Sequence, residues 1–133
     1  MHLDNLVVIV TLLALLTYFW TSIRVAGARR RHEVRPPAVT GPPEFERAYR
    51  VQMNTLEWLP LFLPSLWLFA WYWNGLLAAG IGLVWILARI QYAIGYVKNP
   101  ASRRPGFGIQ ALATAVLLFG ALGKAVWLAA TGG

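Results

Sequence analysis

The stretch "RAYRVQMNTLEWLPLFLPSLWLFAWYW", residues 47–73, decides the fold. Its second half is apolar enough to dissolve in lipid, yet Arg50, Asn54 and Glu57 stand in the run-up, where a helix is already entering hydrocarbon. A charged side chain at mid-membrane costs about 2.5–3.5 kcal/mol on insertion scales, so these residues need partners. No charge interrupts the chain from Trp58 to Ala88. A single helix over that run would be ~46 Å long, against ~30 Å of hydrocarbon. Asn74-Gly75 is a turn signal inside it, which predicts two helices, about 43–73 and 75–97, joined by a tight hairpin. Pro60 and Pro64 each remove a backbone donor and predict a kink or local loosening in the first of the two.

Upstream, Pro42 and Pro43 suit the start of a helix, where a missing N–H does no harm. Glu44 and Glu46 then fall in the first turn, facing the positive end of the helix dipole. Before them lies a polar connection, "RRRHEVRPPAVTGPPEFERAYR", and before that "NLVVIVTLLALLTYFWTSI", residues 5–23, uncharged and long enough to span a bilayer. "AGA" at 26–28 resembles a signal-peptidase site, but the start "MHLDN" lacks a basic region and the apolar run is long for a signal peptide. The sequence therefore predicts a retained first span, about 5–27. Downstream, "KNPASRRPG" is a short basic turn, followed by a Gly- and Ala-rich fourth helix, about 104–130, suited to close helix contacts.

Composition agrees. The 133 residues suffice for one domain, taken as 1–133; 58% are apolar and 13% charged. Soluble proteins average about 45–50% and 25%. The expected fold class is an all-α, integral membrane four-helix bundle. Without cysteine, disulfides and Cys-metal sites are excluded, and any thiol chemistry must use a bound thiol. The two histidines, His2 and His32, are far apart in the chain and support no metal site. The net charge of +7 resides mainly in the connections, as a topology signal does, which argues against nucleic acid. Arg29, Arg30, Arg31 and Arg35 in the first loop and Lys98, Arg103 and Arg104 in the third place both loops in the cytoplasm, with the termini and the hairpin opposite.

Arg50, Asn54 and Glu57 are spaced i, i+4, i+7 and share one face of the second helix; Arg89, Tyr92 and Tyr96, spaced i, i+3, i+7, share one on the third. Arg50 and Arg89 lie at similar depths, roughly 10–12 Å from the cytoplasmic ends of their helices, and Arg103 opens the fourth at the same surface. Glu57 can neutralise one arginine of the three, leaving a cluster of about +2 that calls for an anionic ligand. Glutathione as a thiolate, with a net charge of about −2, is such a ligand.

"GPPEFERAYRVQMNTLEWLPLF" together with "ARIQYAIGY" resembles the MAPEG family of small membrane proteins, on the branch of cysteinyl-leukotriene synthase and the microsomal glutathione transferases. The likeness is strong from Ala28 to Arg104 and lies in hydropathy alone outside it. It implies a homotrimer with glutathione bound between neighbours near the cytoplasmic face. Arg50, Asn54, Glu57 and Trp58 would hold glutathione from the second helix, with Gln52 reaching it from an adjacent subunit; Arg89, Tyr92 and Tyr96 would bind from the third. Arg29 and Arg30 match the family's basic pair after the first helix, and Arg103 matches the arginine that stabilises the thiolate, with Arg104 as its neighbouring rival. Two departures weaken leukotriene synthesis specifically: Trp58 replaces a tyrosine, and "RRHEVR" is more polar than its counterpart.

The implied enzyme is a glutathione transferase. A free thiol titrates near ~8.5, and a guanidinium beside it lowering that by about two units would make the thiolate dominant at neutral pH. The thiolate would attack a lipophilic electrophile in a lipid-facing groove, or reduce a lipid hydroperoxide. Each residue also has a plainer role: Arg50 and Glu57 as an ion pair locking helices, Tyr92 and Tyr96 as interfacial aromatics, Arg103 as a topology charge. Three other classes stay open: a non-catalytic lipid-binding relative, a proton-coupled exporter using Glu57, and a purely structural membrane protein.

Overall fold

The computed structural model describes residues 2–99, 101 and 104–133, with side chains described for 5–99, 101 and 105–133. Four helices account for nearly all of them: α1 His2–His32, α2 Pro43–Tyr72, α3 Gly75–Lys98 and α4 Arg104–Thr131. No strand occurs among the described residues. The first helix runs on to His32 rather than ending near 27, because its Arg29-Arg30-Arg31-His32 end suits the negative pole of a helix dipole. Helix α2 starts at Pro43, with Glu44 and Glu46 in its first turn. It continues as one helix past Pro60 and Pro64, both of which face outward. At the hairpin, Asn74 caps α3: its side chain accepts a hydrogen bond from Leu77 N at 3.0 Å.

Helices α2 and α3 form the central pair, with α1 and α4 each packed against both of them. The core is built on a stack of Phe62 from α2 over Trp85 from α3, centroids 4.1 Å apart and planes within 6°. Val10 of α1 and Leu117 of α4 belong to the same buried cluster. Toward the loop end, Gly106 lets α4 approach α3: a Cβ there would sit 2.6 Å from Ala88 O and 2.8 Å from Tyr92 N. That approach brings Phe107 against Tyr92, 5.9 Å between centroids.

Apolar side chains cover the outside too, among them Leu12, Leu16 and Phe19 of α1 and Leu112, Phe119 and Trp127 of α4. Such a surface calls for lipid or a partner chain. Helices α1, α3 and α4 are long and apolar enough to cross a membrane. Helix α2 is as long but less apolar, since Glu57, two prolines and Trp58, Trp67 and Trp71 dilute its hydrocarbon character.

The connection from α1 to α2 is tied down at several points. Arg29 Nη1 donates to Ala38 O at 2.7 Å, and its guanidinium lies over the Phe45 ring at 4.9 Å. Arg31 and His32 both reach Glu44 Oε1 at 3.0 Å. These bonds, from His32 first and Arg31 second, hold the Glu44 carboxyl below its usual pKa.

Candidate functional site

The candidate residues of α2 and α3 separate into an inner and an outer group. Arg89 is completely buried. Its Nη2 donates to Asn54 Oδ1 at 2.6 Å, its Nε donates to Thr55 Oγ1 at 3.2 Å, and its guanidinium lies 4.3 Å from the centre of the Tyr92 ring. Among the described residues it forms no ion pair. Neutral oxygens and an aromatic face therefore take the place of a counterion, a setting guanidinium tolerates better than ammonium.

This arrangement fixes the orientation of its neighbours. A guanidinium can only donate, so the Asn54 amide must turn its oxygen inward and its Nδ2 away from Arg89. Thr55 Oγ1 spends its own proton on Val51 O at 2.7 Å, leaving its lone pairs for Arg89. Asn54 is half-buried, and among the described residues its Nδ2 has no hydrogen-bond partner.

Arg50 and Glu57 lie on the outer side of α2, both exposed. Arg50 borders a cleft of about 200 Å3 with Pro43, Glu46, Arg47 and Tyr96. Arg47 is spanned across to α3, its Nη1 donating to Val97 O at 3.3 Å. Among the described residues neither Arg50 nor Glu57 forms an ion pair. Within a single chain the expected cluster of Arg50, Arg89 and Arg103 against Glu57 divides into an inner and an outer part, with Arg103 outside the described residues. Arg89 points into the bundle while Arg50 and Glu57 point out of it, so Glu57 acts on Arg89 through space and not as an ion-pair partner.

The other candidates are distributed around these two groups. Tyr92 is buried and stacks on the half-buried Tyr96, centroids 5.6 Å apart. Trp58 packs edge-on against Phe107 at 5.6 Å. Gln52 turns toward α1, where its Nε2 donates to Ser22 Oγ at 3.0 Å. Arg29 is engaged with the first loop, while Arg30 is exposed. Arg103 lies outside the described residues, and Arg104 opens α4. No group of three or more His, Cys, Asp and Glu residues able to hold a metal occurs among the described residues.

Sequence reading missed Thr55 and Arg24. Thr55 is one residue off the Arg50–Asn54–Glu57 face, and only its polarity at a completely buried position could have marked it. Arg24 directly follows the uncharged run 5–23; its Nη1 donates to Ala93 O at 3.1 Å, and its guanidinium lies 4.9 Å from the Trp20 ring.

A bundle of four long helices, apolar outside and carrying a polar face on α2 and α3, defines an integral membrane protein. The family model described as MAPEG family matches residues 7–123, and the chain belongs to that family. It is similar to human microsomal glutathione S-transferase 2, 45% identical over 113 residues that span 82% of this chain and 74% of that protein. Leukotriene C4 synthase of Cavia porcellus is 44% identical over 117 residues, 82% of this chain and 78% of that protein. An uncharacterised protein of Synechocystis is 46% identical over 119 residues, 90% of this chain and 87% of its own length.

Proposed function

We propose that the chain is a membrane-embedded glutathione transferase. In this reading Arg50, Asn54 and Glu57 bind glutathione along the outer face of α2. The observation that carries it is that face itself: a cation, an outward amide donor and a carboxylate within two turns, none ion-paired among the described residues. Such groups on the outside of a membrane helix are costly until something polar covers them. Glutathione, with carboxylates for Arg50 and an ammonium for Glu57, complements them in sign. The name of the similar human microsomal glutathione S-transferase 2 supports the same ligand.

The outward direction of the face further supports assembly as a homotrimer, in which a neighbouring copy closes each site. Tyr96, beside Arg50 at the cleft, would complete it from α3. Arg29, Arg30, Gln52, Trp58 and Tyr92 stay candidates for ligand contact in the assembly, and Arg89 acts by holding Asn54. Arg103 is the proposed thiolate partner, with Arg104 beside it; an arginine stays protonated at neutral pH and favours the ionised sulfur. The sulfur would bond to an electrophilic carbon of a lipophilic substrate, whose displaced group takes the electron pair. The basic loops support a cytoplasmic position for this chemistry, with both termini on the opposite side.

Calorimetric titration of glutathione into the detergent-solubilised protein tests the reading. Saturable binding that Arg50→Ala weakens at least about tenfold is the expected outcome; a wild type that is well folded and gives no heat of binding with glutathione would sink it. In a protein that does bind, Arg103→Ala should slow conjugation at neutral pH by about twenty-five-fold, the fall in thiolate fraction when a pKa of ~6.5 returns to ~8.5. Raising the pH should recover part of the loss.

A further inference from the structure

Of the twelve Lys and Arg residues, Lys124 alone is placed by its position in the chain toward the hairpin end. It lies ~30 Å along α4 from the start of that helix, about the thickness of a bilayer's hydrocarbon, and so at the opposite surface from the basic loops. No described carboxylate pairs with it. Instead its Nζ stands over the ring of Trp73, 4.4 Å from the centroid.

The surroundings hold that pair in place. Trp73 Nε1 donates to Gly120 O at 2.9 Å, which fixes the face of the indole against α4. Gly120 lets Phe69 of α2, one turn before Trp73, close in on α4, since a Cβ there would lie 2.6 Å from Phe69 Cε2. One turn on, a Cβ at Gly123 would meet nothing within 4 Å, so the surface there is open. Between them runs a groove of about 410 Å3, lined by Trp73, Phe119, Gly120, Gly123, Lys124 and Trp127. Its walls are apolar and its one charge is the ammonium of Lys124.

We infer that this groove binds an anionic phospholipid, whose phosphate meets Lys124 Nζ and whose acyl chain lies along Phe119, Gly123 and Trp127. Charge complementarity selects the occupant. A soluble anion would leave the apolar walls uncovered, and a choline headgroup would bring a second cation to an ammonium that forms no ion pair among the described residues. Lysines near helix ends commonly extend toward headgroups of any kind, and Lys98, exposed at the end of α3, supplies that comparison within the same molecule.

The test is native mass spectrometry of the full chain in detergent, with equal amounts of phosphatidylglycerol and phosphatidylcholine added. Wild type should retain phosphatidylglycerol preferentially. Lys124→Met should lower that retention about fivefold, the scale of one basic side chain against an anionic surface. Lys124→Arg should keep it, and Lys124→Met should unfold at the same temperature as wild type, which separates loss of the charge from misfolding. Equal retention of the two lipids by wild type would overturn the inference. So would undiminished retention by Lys124→Met, or an equal drop in Lys98→Met. None of these outcomes depends on whether glutathione binds at the other surface.

Discussion

Arg89 and Arg50 lie a short distance apart in the bundle, with Asn54 between them, and they solve the problem of a membrane charge in opposite ways. Arg89 is enclosed by its own chain, which supplies two oxygens and an aromatic ring. Arg50, one turn before Asn54 on α2, is exposed and has no ion-pair partner among the described residues. The first arginine is part of what makes the fold unique; the second waits on something outside the chain. Asn54 joins the two, because its oxygen is fixed by Arg89 while its amide nitrogen faces away.

The contrast can be broken most directly at Arg89. Arg89→Ala should destabilise the protein by about 3–5 kcal/mol, since it opens a cavity and leaves Asn54 and Thr55 oxygens without their donor. Unfolding in mixed micelles against a graded denaturing detergent measures this. A loss below about 1 kcal/mol would show that the inner group does not support the fold.

Arg50→Ala should do the reverse. Its unfolding should stay within about 0.5 kcal/mol of wild type, as for other surface substitutions. Its affinity for glutathione should fall by roughly 1.5–3 kcal/mol, the value of a charge-assisted hydrogen bond. If stability and affinity fell together, the two arginines would not be separable in function.

Asn54→Asp sharpens the comparison. The carboxylate would accept from Arg89 at least as well as the amide does, so the fold should hold. The outward donor would be gone, however, and glutathione binding should weaken by about 1 kcal/mol. Affinity equal to wild type in a stable variant would show that the amide nitrogen serves no ligand.

The smallest effect is expected far from both arginines, at Glu44. Because its carboxyl is held below its usual pKa, its contribution to stability is present above about pH 4.5 and lost as pH falls through the lowered value. Glu44→Gln should flatten the acid side of the stability profile and leave the neutral side nearly unchanged. A profile identical to wild type would mean that the bonds to His32 and Arg31 add nothing measurable.

Much of this architecture is written in local chemistry. Paired prolines set the start of α2, Asn74-Gly75 set the hairpin, and the charge-free run between Trp58 and Ala88 set what lay between. These signals act over a few residues, so no knowledge of packing is needed to read them. The direction of Arg89 was not legible in the same way. Helical spacing shows that Arg89, Tyr92 and Tyr96 share a face, but not how α3 is rotated about its axis. That rotation depends on which oxygens a neighbouring helix supplies; of the two suppliers, Asn54 stands on a face that spacing marks but Thr55 carries no spacing signal of its own. The long end of α1 was underestimated because hydropathy marks where lipid ends, whereas the arginines that follow still favour a helix.

Of the seven tryptophans, Trp85 is the one enclosed completely, its ring parallel to Phe62 and its Nε1 without a partner among the described residues. A rigid, asymmetric pair of chromophores of this kind gives a near-ultraviolet circular dichroism band that disappears when the rings tumble independently. The bundle thereby contains its own optical gauge of whether α2 and α3 remain in register, at a depth where an attached label would disturb the packing it was meant to report.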